Sequence, residues 1–209
     1  MTFHAFNRAI VRTPSRSVID GLRAVDVGAP RYQGVLAEHR DYVHTLEQLG
    51  VNVETLPALE AFPDSVFVED TALVFTGAAI LLRPGAATRR GEAAAMAATL
   101  ERNFERVLRL EDGMAEGGDV LSTPGAVFIG TSARTSVEGA AALVSLLAQF
   151  GQQGIVVKTP PGVLHLKSDC SMLDEETILC TARLAAAEPL PGFHILLTPD
   201  GEEGAANAL

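Results

Sequence analysis

The sequence predicts an α/β protein built from repeated strand–strand–helix–strand units, and three observations carry that expectation. Three aspartates recur at a near-constant interval: Asp70, Asp119 and Asp169 are separated by 49 and 50 residues. Three arginines trail them at nearly the same period, Arg83, Arg134 and Arg183, separated by 51 and 49 residues. Between one acid and the next, strand-like alternation gives way to helical spacing and then returns. Units that each need a neighbour to cover their faces stack or close into a ring. Closing about four or five of them would gather the strand-start acids around one axis.

The elements follow in order. Ala9-Ile10-Val11 reads as a short strand ended by Arg12-Thr13-Pro14, and residues 15–30 mix Gly, Pro and charge as a long loop or lid does. Residues 32–49 set Tyr32, Val35, Leu36, Val43, Leu46 and Leu49 on one helical face, with Gly50 as its C-cap and an alternating strand at 51–56. In the next unit 71–75 and 79–82 form a hairpin around Thr76-Gly77, 89–104 is a helix with Ala93, Met96, Ala97 and Leu100 inward, and 106–110 is a strand. The plan recurs: 119–121 and 126–129 flank the turn Thr123-Pro124-Gly125, a capping box of Thr135 and Glu138 opens a helix over 135–150, and 154–158 is a strand. After Asp169 it degenerates, because 184–193 is short and holds two prolines, which leaves no room for a full helix. Residues 203–209 echo 115–121 with Asn207 where Asp119 stands. The expectation is one domain over 1–209 from which a C-terminal repeat of roughly 45–55 residues is missing.

Composition narrows the function. A formal charge of −10 without any Lys/Arg-rich run argues against nucleic acid or an anionic membrane as partner and suits a cationic small molecule. Cys170 and Cys180 form no CxxC pair, which speaks against a disulfide scaffold or a structural zinc site. The N-terminus has no signal-like apolar run, and the apolar stretches are shorter than a membrane span, so the expected setting is cytoplasmic.

The candidate chemistry starts at Phe62-Pro63-Asp64-Ser65-Val66-Phe67-Val68-Glu69-Asp70, where three carboxylates are interleaved with apolar residues. An ionised group carried inward is costly unless something cationic meets it, so the stretch suggests a cavity for a cation; a solvated surface turn is the alternative. Strand alternation would turn Glu69 away from Asp70 and leave it structural. In Glu116-Gly117-Gly118-Asp119 the glycines permit close backbone approach, so Glu116 can face a ligand, or the stretch is a plain hairpin entry. His165 sits in the apolar run 163–167, read as a strand, as a general acid/base or as a satisfied core histidine. It lies four residues before Asp169, as Glu116 lies three before Asp119, so both should emerge at one rim. Arg89, Arg90 and Arg134 stand where helices start, a place unfavourable to cations, and could clamp a carboxylate. Cys170 and Cys180 read as packing residues.

Taken together, residues 62–70, Arg83-Pro84-Gly85, Arg89-Arg90-Gly91-Glu92, Glu116-Gly117-Gly118-Asp119, Ser132-Ala133-Arg134-Thr135 and Leu164-His165-Leu166-Lys167-Ser168 resemble the dimethylarginine dimethylaminohydrolase family of guanidine-modifying enzymes. The resemblance runs from about residue 10 to the end and includes Arg12-Thr13-Pro14 and Asp20-Gly21-Leu22. It implies a five-bladed α/β propeller of ββαβ repeats, the pentein fold, with the last blade incomplete in this chain. It implies hydrolysis of methylated arginine to citrulline and dimethylamine through a covalent thiouronium on a cysteine, without cofactor. By the same resemblance Asp70 and Glu116 hold the guanidinium, Asp64, Arg89 and Arg134 bind the amino-acid end, Leu22 belongs to the lid, and His165 is the general acid/base. The family's nucleophile lies in a Gly-Gly-x-Ser-Cys motif that residues 1–209 do not contain, so the chain as written is expected to be unable to form the covalent intermediate. An arginine deiminase and a non-catalytic acidic pocket for a cation are the competing readings. Oligomeric state is left open, with a homodimer compatible.

Overall fold

Eleven strands fall into four small sheets in the computed structural model, which describes residues 6–23, 28–188 and 190–208. In the first unit β1 (Arg8–Arg12) runs parallel to β2 (Asn52–Leu56), and α1 (Tyr32–Gln48) crosses between them. The second unit has a hairpin of β3 (Ala72–Phe75) and β4 (Ala78–Leu81), then α2 (Glu92–Asn103), then β5 (Arg106–Arg109) parallel to β4. The third repeats this with β6 (Val120–Ser122), β7 (Val127–Thr131), α3 (Val137–Ala148) and β8 (Gly154–Lys158). The fourth has β9 (Cys170–Met172), β10 (Thr177–Cys180) and β11 (His194–Leu197), but its helix α4 (Ala182–Ala185) is a single turn. That is the degeneration expected from its length and prolines.

The core lies in the seams between units. Period-2 alternation sends Ala79 and Leu81 of β4 towards α2 and Leu56, while Ile80 and Leu82 meet Val120, Val127 and Ile129 of the third unit. Phe128 and Ala126 face the opposite way, onto Leu166, Cys170, Ile178 and Leu184. Central strands buried on both faces read as continuous apolar runs, as 78–82 and 126–129 do. Each fully buried Leu or Ile in a seam contributes about 1.5–3 kcal/mol.

Each full strand unit is entered through a short 3-10 turn: Val68–Thr71, Gly117–Asp119 and Leu166–Ser168, with a fourth at Glu203–Ala206. These turns touch in succession, and Glu69 of the first reaches Lys167 of the third, so the row bends round an axis. The repeat aspartates thus close turns rather than open strands. Asp119 accepts the Ser132 hydroxyl at 2.6 Å and the Leu166 N–H at 2.9 Å. Asp169 accepts the Thr181 hydroxyl at 2.7 Å and both Nε and Nη2 of Arg183.

Several local expectations are corrected. Residues 163–165 are not a strand; Pro160, Pro161 and a left-handed Gly162 (φ 84°) form a turn, and His165 has extended backbone just before the next 3-10 turn. The N-cap of α3 is Ser136, whose Oγ accepts the Gly139 N–H at 3.0 Å, and not Thr135. Helix α2 begins at Glu92, because 87–89 is a separate 3-10 turn. Leu49 lies past the end of α1 and is 76% exposed, while Gly50 takes the left-handed C-cap conformation expected of it. Residues 24–27 of the long loop lie outside the described residues.

Candidate active site

The two glycines after Glu116 let three units approach within hydrogen-bonding distance. A Cβ on Gly117 would lie 2.1 Å from the Glu69 carbonyl oxygen, and one on Gly118 would lie 2.8 Å from Cγ and Nδ1 of His165 and 3.0 Å from Asp70 Oδ1. No side chain fits there. Around the two glycines one ligand atom each from Asp70, Glu116 and His165 lies within 4.8 Å of the others, the one such grouping among the described residues that could hold a metal ion.

Glu116 is fully buried. Its Oε1 accepts the N–H groups of Gly85 at 3.0 Å and Ala86 at 3.2 Å and lies 3.4 Å from Arg134 Nη1. Oε2 lies 2.7 Å from Nε2 of His165. Burial works to raise the Glu116 pKa, but the hydrogen bonds from His165 and Ala86, with the charges of His165 and Arg134, outweigh it and hold the carboxyl below its ordinary range. Burial likewise works to lower the His165 pKa, and the bond to Glu116 with the negative charges of Asp70, Asp119 and Glu116 more than reverses it. The imidazole is thereby held towards its protonated form beside two carboxylates.

Asp70 is buried and accepts the Gly118 N–H on Oδ1 at 2.9 Å and Arg89 Nη1 on Oδ2 at 2.5 Å. Arg89 itself faces inward: Nε and Nη2 fork onto Glu92, and Nη2 also donates to the carbonyls of Asp64 at 3.2 Å and Phe67 at 3.0 Å. The guanidinium expected at the amino-acid end of a ligand is therefore engaged with protein acceptors. Burial works to raise the pKa of Glu92, and together with the charges of Asp64 and Asp70 it outweighs the opposing pull of Arg89. Arg134 stands at the rim of Glu116 with its side chain 18% exposed.

Asp64 is buried, and its Oδ1 accepts the Leu22 N–H at 2.9 Å, with Gly21 so close that a Cβ there would lie 2.8 Å from the same oxygen. This bond pins the segment after the 3-10 turn Arg16–Asp20, whose start is held by Glu60 through the Arg16 and Ser17 N–H groups. The Leu22 side chain is exposed. Glu69 pairs with Lys167, away from the Asp70 contacts to Gly118 and Arg89, but it does so from a 3-10 turn and not from the strand on which the expectation rested. Cys170 and Cys180 are buried opposite one another on β9 and β10, their thiols pushed by burial up to about 12 and about 11.

Sequence reasoning missed four supports. Gly85 and Ala86 supply N–H donors to Glu116, Thr135 Oγ1 accepts the Glu116 N–H at 3.2 Å, and Glu92 anchors Arg89. The repeat marks a different support, Ser132, which donates its hydroxyl to Asp119 in the third unit as Thr181 donates to Asp169 in the fourth.

The arginine deiminase family model matches residues 57–195. The chain is 38% identical over 206 residues to N(G),N(G)-dimethylarginine dimethylaminohydrolase of Pseudomonas aeruginosa, covering 98% of this chain and 81% of that one. It is 33% identical over 204 residues to the protein of that name from Streptomyces coelicolor, covering 97% and 78%. Among solved structures, a cysteine-to-serine variant of the P. aeruginosa enzyme complexed with citrulline superposes with a TM-score of 0.93 at 37% identity, over 98% of this chain and 81% of that one. The cyanobacterial arginine dihydrolase ArgZ, 17% identical with a TM-score of 0.84 over 97% of this chain and 80% of its N-terminal domain, shares the fold alone. The architecture is thus the α/β propeller of ββαβ units, and the chain belongs to the dimethylarginine dimethylaminohydrolase family within the arginine deiminase superfamily.

Proposed function

We propose that this protein hydrolyses Nω,Nω-dimethyl-L-arginine, and the monomethyl form, to L-citrulline and dimethylamine or methylamine, acting in the cytoplasm. The observation that carries the reading is the buried convergence of Asp70, Glu116 and His165, two carboxylates and an imidazole around a space suited to one cation. Asp70 and Glu116 grip the guanidinium, keep it in its cationic, electrophilic form and orient its central carbon. A thiolate adds to that carbon, and His165 gives its proton to the departing amine as the C–N bond breaks. His165 then takes a proton from water, which attacks the thiouronium; the C–S bond breaks and citrulline leaves. The raised His165 pKa keeps the proton available, and the lowered Glu116 pKa keeps that carboxylate ionised.

Asp64, the Leu22 segment and Arg134 serve the amino-acid end of the substrate, and Arg89 acts there by holding Asp70 and the Asp64 carbonyl in place. The thiol is neither Cys170 nor Cys180, both sealed in the seam between the third and fourth units. In support, the similar P. aeruginosa enzyme is seen with citrulline bound. Citrulline release is to be measured with dimethylarginine and with arginine, on a form carrying the Gly-Gly-x-Ser-Cys motif. Preference for dimethylarginine, lost in His165→Ala, is expected; preference for arginine would make the protein a deiminase instead.

A further inference from the structure

Glu92 is only 2% exposed, and the reaction above gives it nothing to do. It opens α2 and reaches back three residues to Arg89, whose Nε lies 3.1 Å from each of its oxygens and whose Nη2 lies 2.7 Å from Oε2. The far side of the same guanidinium holds Asp70. Carboxylate, guanidinium and carboxylate thus form a buried row, with side-chain exposures of 9%, 4% and 2%. The row is fixed to the substrate-facing turn by packing: a Cβ at Gly91 would lie 2.3 Å from the Phe62 ring, so Phe62 rests directly on the start of α2.

The charges decide what the row can do. Asp70 paired with Arg89 alone would be neutral, and a ligand guanidinium at Asp70 would meet the repulsion of Arg89 in an interior that screens charge weakly. Glu92 cancels Arg89 from behind and leaves a net charge of −1 at the Asp70 end. Including the neighbouring Asp64 and Arg12, the sum of three acids and two guanidiniums is still −1. Arg12 is itself tied to the Pro57 carbonyl at 2.9 Å and Met96 Sδ at 3.6 Å, on the side of Glu92.

We propose that Glu92 is a positioning and specificity-determining residue: by neutralising Arg89 it keeps Asp70 negative towards the ligand, so the site prefers a cationic guanidine over a neutral ureido group of similar shape. This deepens the functional reading above and rests on it.

Titration calorimetry with dimethylarginine and with citrulline tests it on the wild type, Glu92→Gln and the double variant Arg89→Gln/Glu92→Gln. Glu92→Gln is expected to weaken dimethylarginine binding about 10-fold while moving citrulline binding less than about 3-fold. The double variant removes one charge of each sign and is expected to restore the wild-type ratio of the two affinities to within about 3-fold. Equal losses for both ligands in Glu92→Gln, or a ratio that stays collapsed in the double variant, overturn the proposal. Should Glu92→Gln not fold, Arg89→Gln takes its place: with Glu92 left uncancelled, the preference for dimethylarginine over citrulline is expected to rise above that of the wild type, and an unchanged or lower preference overturns the proposal. A wild type that does not favour dimethylarginine over citrulline fails the functional reading itself, a result distinct from any failure confined to the variants.

Discussion

His165 Nε2 stands 2.7 Å from Glu116 Oε2 across the boundary between two units, and each of the two groups displaces the other's titration. A neutral histidine in so buried a place would be the ordinary outcome of desolvation. Here the surrounding carboxylates reverse it and hold the imidazole towards its protonated, acidic form.

Loss of that acid should separate turnover from binding. On a form carrying the family's cysteine motif, His165→Ala is expected to lower citrulline formation by about 10²–10⁴-fold. Citrulline affinity, read by calorimetry, should change far less, because Asp70 and Glu116 keep their N–H partners from Gly118, Gly85 and Ala86. A matching loss of affinity would contradict the role.

The pair also sets a pH window for stability. Since the folded-state pKa of His165 is raised above its ordinary 6.5, its contribution is complete below that value and fades as pH rises through the raised one. Glu116 is lowered from 4.5, so its contribution is complete above that value and fades as pH falls through the lowered one. The difference in urea midpoint between wild type and His165→Gln should therefore be largest between 4.5 and 6.5 and shrink on both sides. A difference independent of pH would mean the pair is not coupled in this way.

Gly118→Ala is expected to destabilise the fold by about 1–3 kcal/mol and to weaken ligand binding, because the added methyl meets His165 and Asp70 at once. Gly125 offers the control: nothing lies within 4 Å of a Cβ there, so Gly125→Ala should shift the denaturant midpoint little. Comparable shifts for the two would refute the close-approach account.

Asp64→Ala removes the acceptor of the Leu22 N–H. Faster hydrogen exchange at Leu22 and its neighbours is expected, with a stability loss of about 1 kcal/mol, since an exposed segment is cheap to release. Unchanged exchange would show that Glu60 alone holds the segment.

Alkylation should leave both thiols untouched in the folded protein at pH 8, given pKa values pushed up to about 12 for Cys170 and about 11 for Cys180. Rapid single modification of either, detected by mass spectrometry under native conditions, would reopen its claim to be the nucleophile.

Much of this was legible in the sequence because repetition made position meaningful. Asp70, Glu116 and His165 were picked out by their places relative to the repeat acids, and the strands by alternation that the two-faced seams then explained. What stayed hidden depended on partners far along the chain. Nothing local says that Thr135 would turn from capping α3 to receive the Glu116 N–H, or that Arg89 would be drawn inward by Glu92 and Asp70. Nor does an apolar run such as 163–166 reveal that two prolines and a left-handed glycine just before it forbid a strand. Those outcomes are settled by competition among acceptors and by chain reversal, both of which periodicity ignores.

The fourth unit keeps its turn, its Asp169 lock and its three strands although its helix has shrunk to the single turn Ala182–Ala185. Tolerance to change is therefore graded with distance from the axis. The hairpin at Thr76–Gly77 is a natural point for inserting a tag or a reporter domain, whereas a single residue added to Gly117–Asp119 would pull Glu116 and the Asp70 partner Gly118 out of step together. The molecule can be lengthened at its circumference without being retuned at its centre.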